Sequence, residues 1–144
     1  MSRLPIRIKP RRPKFCYVGA PAYFKLQQAC TAIWRSWHRE SFGCYVVGSC
    51  LERPDFRDVD VRLLMRDEAF RAEFPDVERI DAAVWEHDPK WLLVTVSIAE
   101  WLRAQTGLPV DFQVHPVSYA NANFKGNPRQ PVGITYVSPR DKEC

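Results

Sequence analysis

Three carboxylates stand out in the chain by their spacing. Asp58 and Asp60 flank a valine in Asp58-Val59-Asp60-Val61-Arg62-Leu63-Leu64-Met65, and Asp111 follows much later between Val110 and Phe112. The first run alternates as a strand does, so Asp58 and Asp60 share one face while Val59, Val61, Leu63 and Met65 share the other. An acidic face backed by an apolar one is a firm support for a divalent cation. Gly48-Ser49 lies ahead of this run. A glycine lets backbone come close to a phosphate, and a serine hydroxyl and amide can donate to it.

Together these residues have the chemistry for metal-assisted attack on a nucleoside triphosphate. Charge builds on the attacking oxygen and on the leaving phosphate, and two Mg²⁺ ions about 3.5–4 Å apart can stabilise both. Mg²⁺ takes oxygen ligands, usually a few carboxylates completed by substrate phosphates; Mn²⁺ is the alternative ion. Aspartates at i and i+2 can bridge two ions, and a third from a neighbouring strand can complete the ion that activates an acceptor hydroxyl. Arg53, Arg57 and Arg62 are the candidate phosphate contacts, because a guanidinium binds phosphate in bidentate fashion. Arg62 alternates onto the acid face, where it either neutralises the aspartates or reaches a phosphate. His115 is either a strand-end histidine satisfied by its neighbours or an active-site neighbour. Lys125, Arg129 and the Asn121-Ala122-Asn123 stretch either fold over the site or form a plain polar loop.

The elements that must position these groups follow from periodicity. Pro21 opens a helical pattern over 22–40, with Leu26, Ala29, Ile33, Trp34 and Trp37 at helical spacing and Gly43 as its end. Residues 44–47 read as a short strand that Gly48-Ser49 breaks. The Asp58 strand follows a loop containing Pro54. Residues 67–71 read as one or two turns of helix, and 75–88 are ambiguous. Pro89 begins a longer helix in which Trp91, Val94, Thr95, Ile98, Trp101, Leu102 and Gln105 recur at three and four residues. Gly107 caps it and Pro109 stops it. Residues 110–115 form the third strand, with Asp111, Gln113 and His115 on one face. The chain from Ala120 on reads as irregular, with residues 133–137 as a last extended piece. The expected fold is therefore α/β (α+β by some definitions), a small mixed sheet with flanking helices.

Gly48-Ser49, then Asp58-Val59-Asp60 at a strand start, then Asp111 in an apolar strand resemble the nucleotidyltransferase superfamily of the DNA polymerase β type, in its small single-domain form. The resemblance covers roughly residues 20–116. It implies a Mg²⁺-dependent enzyme that moves a nucleoside monophosphate from a triphosphate such as ATP to a hydroxyl acceptor. It also implies that Gly48 and Ser49 contact the triphosphate, that Asp58 and Asp60 bind both metals, and that Asp111 binds the catalytic metal and helps deprotonate the acceptor. Small members often carry Ala-Arg-Gly soon after Gly-Ser, and a serine before the first aspartate. Here the loop is Cys50-Leu51-Glu52-Arg53-Pro54-Asp55-Phe56-Arg57. That departure, with the missing helical nucleotide-binding domain of larger members, motivates the alternative of a catalytically inactive module that binds nucleotide, nucleic acid or a protein partner. The acceptor is open among nucleic acid, small molecule and protein, and the oligomeric state is open too.

Length and composition set the outer bounds. At 144 residues with a net charge of +4, the chain has room for one domain with a real core. Its longest apolar runs are too short to span a bilayer, and no apolar segment follows the basic start, so a soluble cytoplasmic chain is expected. Cys16, Cys30, Cys44, Cys50 and Cys144 form no Cys-x-x-Cys pair, which fits reduced thiols better than a disulfide framework or a zinc site. Arg3, Arg7, Lys9, Arg11, Arg12 and Lys14 crowd the start among three prolines. Residues 1–19 therefore read as a basic extended arm, either a solubilising tail or a binder of nucleic acid phosphates, and 20–144 as the domain.

Overall fold

The computed structural model describes residues 16–134. Residues 1–15 of the arm predicted over 1–19, and the extended piece predicted over 133–137 beyond Ile134, lie outside the described residues. Residues 16–19 of the arm are described, and Cys16 and Val18 among them are buried in the core.

The elements run α1 (Ala20–Ser36), β1 (Ser41–Val47), a 3₁₀ turn (Gly48–Leu51), β2 (Val59–Met65), α2 (Asp67–Glu73), a second 3₁₀ turn (Val84–His87), α3 (Pro89–Thr106), β3 (Val110–Pro116), α4 (Val117–Asn123) and β4 (Arg129–Val132). The strands form one mixed sheet in the order β3-β2-β1-β4. β2 and β3 are parallel, while β1 is antiparallel to both of its neighbours. This is the small mixed α+β sheet expected. Among the described residues no helix is long and apolar enough to cross a membrane.

One face of the sheet is the core. Val59, Val61 and Leu63 of β2, Val110, Phe112 and Val114 of β3, and Cys44 and Val46 of β1 are buried. They meet Leu26, Cys30 and Ile33 of α1 and Trp91, Ala99 and Leu102 of α3. The indole of Trp91 also donates to the Val114 carbonyl at 3.0 Å, fixing α3 against β3. α3 has the predicted ends: Asp88 accepts from the Trp91 amide at 2.9 Å, and Gly107 closes the helix in the left-handed region at φ 73°. Trp101, predicted on its inner face, is 40% exposed.

The first helix ends earlier than its periodicity predicts. It stops at Ser36, and Gly43 lies inside β1 rather than at a helix end. The cause is tertiary. Ser41 pairs with Met65 of β2, so the chain after Trp37 is drawn into the sheet. The register shifts between Ser41 and Gly43, and Gly43 takes φ 106° there, as a bulge glycine can. The irregular stretch predicted after Ala120 also differs: it holds most of α4, which starts at Val117, and then β4.

Candidate functional site

The other face of the sheet carries the candidate residues, and its layout follows from strand register. Asp111 of β3 lies opposite Asp60 of β2, Asp60 opposite Val47 of β1, and Val47 opposite Arg129 of β4. The row Asp111–Asp60–Val47–Arg129 thus crosses all four strands. Two residues along, Gln113, Arg62, Tyr45 and Pro131 form the next row on the same face. A cavity of about 300 Å³ lies on this face, lined by Asp60, Val47 and Arg129 of the first row, Arg62 and Tyr45 of the second, and Gly48, Glu52, Leu64, His115, Phe124 and the Asn127-Pro128 turn; Asp111 borders Asp60 outside that lining.

Asp60 and Asp111 are the centre of this face. Burial makes Asp60 harder to ionise, Arg62 partly offsets that, and the negative charges of Asp111 and Asp58 oppose ionisation again; the Asp60 carboxyl is therefore raised above its ordinary range. Arg62 holds the pair from inside the sheet. Its Nη1 donates to the carbonyl oxygens of Asp111 at 2.8 Å and Val61 at 3.1 Å, and its Nη2 stands 3.5 Å from Asp111 Oδ2. Arg62 thus pairs with Asp111 and also lines the cavity.

Gly48 has a specific reason to be glycine. It sits at φ 81°, and a Cβ placed there would overlap the Asp60 carboxylate oxygen Oδ2. The missing side chain lets the start of the 3₁₀ turn close over Asp60. Ser49 adjoins it, and its carbonyl accepts from the amides of Glu52 and Arg53, both at 2.9 Å, which tightens the turn.

The remaining predicted residues are placed differently. Asp58 lies just before β2 and is exposed, near enough for its charge to act on Asp60. Arg53 is exposed and pairs with Asp55 at 3.5 Å, and Arg57 is exposed; neither lines the cavity. Among the described residues, no three or more Asp, Glu, His or Cys side chains are grouped to hold a metal ion. An ion held by Asp60 and Asp111 and completed by substrate phosphates fits the donor set, because the pair carries mutual repulsion that a cation would relieve.

Tyr45 and Phe124 line the cavity without any signal in the sequence that singles them out, whereas Arg129 and His115 are candidates there already. Tyr45 lies beneath Arg129, whose guanidinium carbon is 5.7 Å from the ring centre, and Arg129 Nη2 donates to Asn121 Oδ1 at 2.6 Å. Phe124 stacks on His115, with ring centres 6.1 Å apart and planes 10° from parallel, and Tyr119 and Trp85 meet the same imidazole. Burial and the nearby Arg62 push His115 down to about 3, so its ring is neutral at physiological pH. Its Nε2 lies 2.9 Å from Gln113 Oε1. His115 is thus both held by its neighbours and part of the cavity wall.

No protein-family model, curated protein or solved structure matches the chain. Cys16, Cys30, Cys44 and Cys50 are free and buried, so Cys50, next to Ser49, belongs to the core.

Proposed function

We propose that the chain is a metal-dependent nucleotidyltransferase, moving a nucleoside monophosphate from a nucleoside triphosphate to a hydroxyl acceptor. The observation that carries this reading is the Asp111–Asp60–Val47–Arg129 row across the sheet, of which Asp60, Val47 and Arg129 line the cavity, with Gly48 closed over Asp60. It joins an acid pair that lacks enough positive charge to an arginine, across one strand. That is the polarity a metal–triphosphate complex needs: anion ligands for the ion at one end and a cation for phosphate oxygens at the other.

The residues divide the work. Asp60 and Asp111 would hold the ion, which would offset negative charge on the triphosphate and make the acceptor hydroxyl more acidic. Arg129 steers phosphate oxygens from the β4 side. Arg62, committed to two backbone carbonyls, positions Asp111 rather than reaching the substrate. The acceptor oxygen bonds to the α-phosphorus as the bond to pyrophosphate breaks, and Asp111 accepts the hydroxyl proton. Gly48 and the Ser49 amide border the triphosphate. Tyr45 is left to meet the nucleoside.

Calorimetric titration with a non-hydrolysable ATP analogue, with and without Mg²⁺, tests this on wild type, Asp60→Asn and Asp111→Asn. Mg²⁺-dependent binding that both substitutions abolish is expected. Binding that ignores Mg²⁺, or survives both changes, would remove the metal–nucleotide reading. The inactive-module alternative would instead give Mg²⁺-dependent binding with no pyrophosphate released from ATP in the presence of any acceptor.

A further inference from the structure

Beyond the cavity, the turn between α4 and β4 shapes an open groove of about 670 Å³. It is continuous with the cavity, because Phe124, Asn127 and Arg129 line both. Lys125 and Arg129 supply its charge and Asn121 and Asn127 its amides, and among the described residues no carboxylate lines it. At one end Asp67 accepts from the Ser118 amide at 3.1 Å. Phe124, at the junction with the cavity, is 44% exposed although its other face stacks on His115.

We infer that this groove seats the acceptor, and that the acceptor is a single-stranded nucleic acid whose terminal hydroxyl is delivered to the Asp60–Asp111 pair. The inference rests on the nucleotidyl-transfer reading for what the hydroxyl does there. Cations that track a phosphate backbone and an aromatic ring that stacks a base, without regard to sequence, are the means by which proteins hold single strands. The groove has both, and its open shape suits a chain passing through better than a small molecule enclosed. In the transfer, the terminal oxygen bonds to the α-phosphorus, the bond from that phosphorus to pyrophosphate breaks, the hydroxyl proton goes to Asp111, and the strand leaves one nucleotide longer.

Fluorescence anisotropy of the full chain with labelled RNA and DNA of one sequence, about 12 nucleotides long, is the test. Phe124→Ala should weaken binding about 5- to 150-fold and Phe124→Trp should restore it, since stacking is the lost contact. Lys125→Gln should lower the slope of log affinity against log salt by about 0.7, the value for one phosphate contact on a single strand. The tighter of the two oligonucleotides names the acceptor. Affinity and salt slope unchanged in both Phe124→Ala and Lys125→Gln would overturn the assignment and give any binding to the basic arm. Polyglutamate competing as well as the oligonucleotide would overturn it in favour of an acidic protein. Asp60→Asn separates the two readings: it should leave oligonucleotide binding intact while removing Mg²⁺–nucleotide binding. Groove-dependent oligonucleotide binding with no Mg²⁺–nucleotide binding in wild type would refute the transfer reading and, with it, the groove as an acceptor seat.

Discussion

Gly48→Ala is the sharpest probe of the site, because the chain supplies its own control. Gly48 and Gly107 have nearly the same backbone, φ 81° and 73°, so alanine is strained at both. A left-handed non-glycine residue costs about 1–2 kcal/mol, offset by about 0.4–1 kcal/mol from the stiffer unfolded chain. Gly107→Ala should therefore cost about 1 kcal/mol, since a Cβ there meets nothing within 4 Å. At Gly48 the Cβ overlaps Asp60 Oδ2 and comes within 3.3 Å of its Cγ. Forcing that carboxylate aside adds an overpacking cost of about 1–3 kcal/mol.

Urea denaturation should accordingly show Gly48→Ala less stable than Gly107→Ala by about 1–3 kcal/mol. The excess should vanish in an Asp60→Ala background, where the oxygen is gone, leaving a coupling energy of that same size. Mg²⁺–nucleotide affinity should fall at least roughly tenfold in Gly48→Ala, about 1.4 kcal/mol, and stay unchanged in Gly107→Ala. Equal destabilisation by the two substitutions, or a cycle with no coupling to Asp60, would refute the claim that Gly48 is glycine to admit the Asp60 carboxylate.

Asp60→Asn should raise the melting temperature at neutral pH. A carboxyl raised in the folded state stabilises below its unfolded value and loses that contribution as pH rises through its folded value, so the gain should fade in thermal scans at pH 3. His115 runs the other way: pushed down to about 3 in the fold, it costs stability as pH falls below about 6.5, by about 1.4 kcal/mol at pH 5.5. His115→Phe should remove that component from the pH dependence of unfolding, and an unchanged slope between pH 6.5 and 5 would count against a neutral buried ring. Arg62→Ala should destabilise by about 1–3 kcal/mol in urea, through the carbonyls of Val61 and Asp111 that lose their donor; a loss below 0.5 kcal/mol would show that Arg62 does not position Asp111.

Alternation made the centre of this site legible. Val59, Val61 and Leu63 against Val110, Phe112 and Val114 declare which face is buried, and that leaves Asp60 and Asp111 on the other. Pro89 and Gly107 likewise mark the ends of α3 in the chain itself. What was hidden depends on partners distant in sequence. Arg129 reaches the site only because Arg129–Val132, four residues including a proline, pairs with β1; no period can be read from so short a run. α1 stops short of its own apolar pattern because β2 recruits Ser41. Arg53 and Arg57 have a suitable side chain in a suitable loop, but the 3₁₀ turn at Gly48–Leu51 carries that loop to the surface.

The register of β2 against β3 explains how a fold comes to keep two carboxylates in opposition. Sliding either strand by one residue would turn its apolar set to solvent and its acids to the core, so the valines and Phe112 fix the pairing. Once it is fixed, Asp60 and Asp111 must face each other. Arg62 is the only cation among the cavity residues of β2 and β3, and it spends its donors largely on backbone carbonyls, giving Asp111 a single 3.5 Å approach. Burial first, and then the charges of Asp111 and Asp58, keep the Asp60 carboxyl raised, and Arg62 offsets this only in part. On the proposed reading that unfavourable setting for a charge has a use. A cation arriving with the triphosphate removes an unfavourable term already built into the sheet, so part of its affinity comes from the hydrophobic packing on the opposite face. Loosening that packing should then weaken metal binding without touching a ligand: Val61→Ala, wholly inside the core, should reduce Mg²⁺–nucleotide affinity in titration calorimetry if the pair is free to drift apart. Unchanged affinity in a Val61→Ala variant that has lost stability would mean that the backbone hydrogen bonds alone hold the acids together.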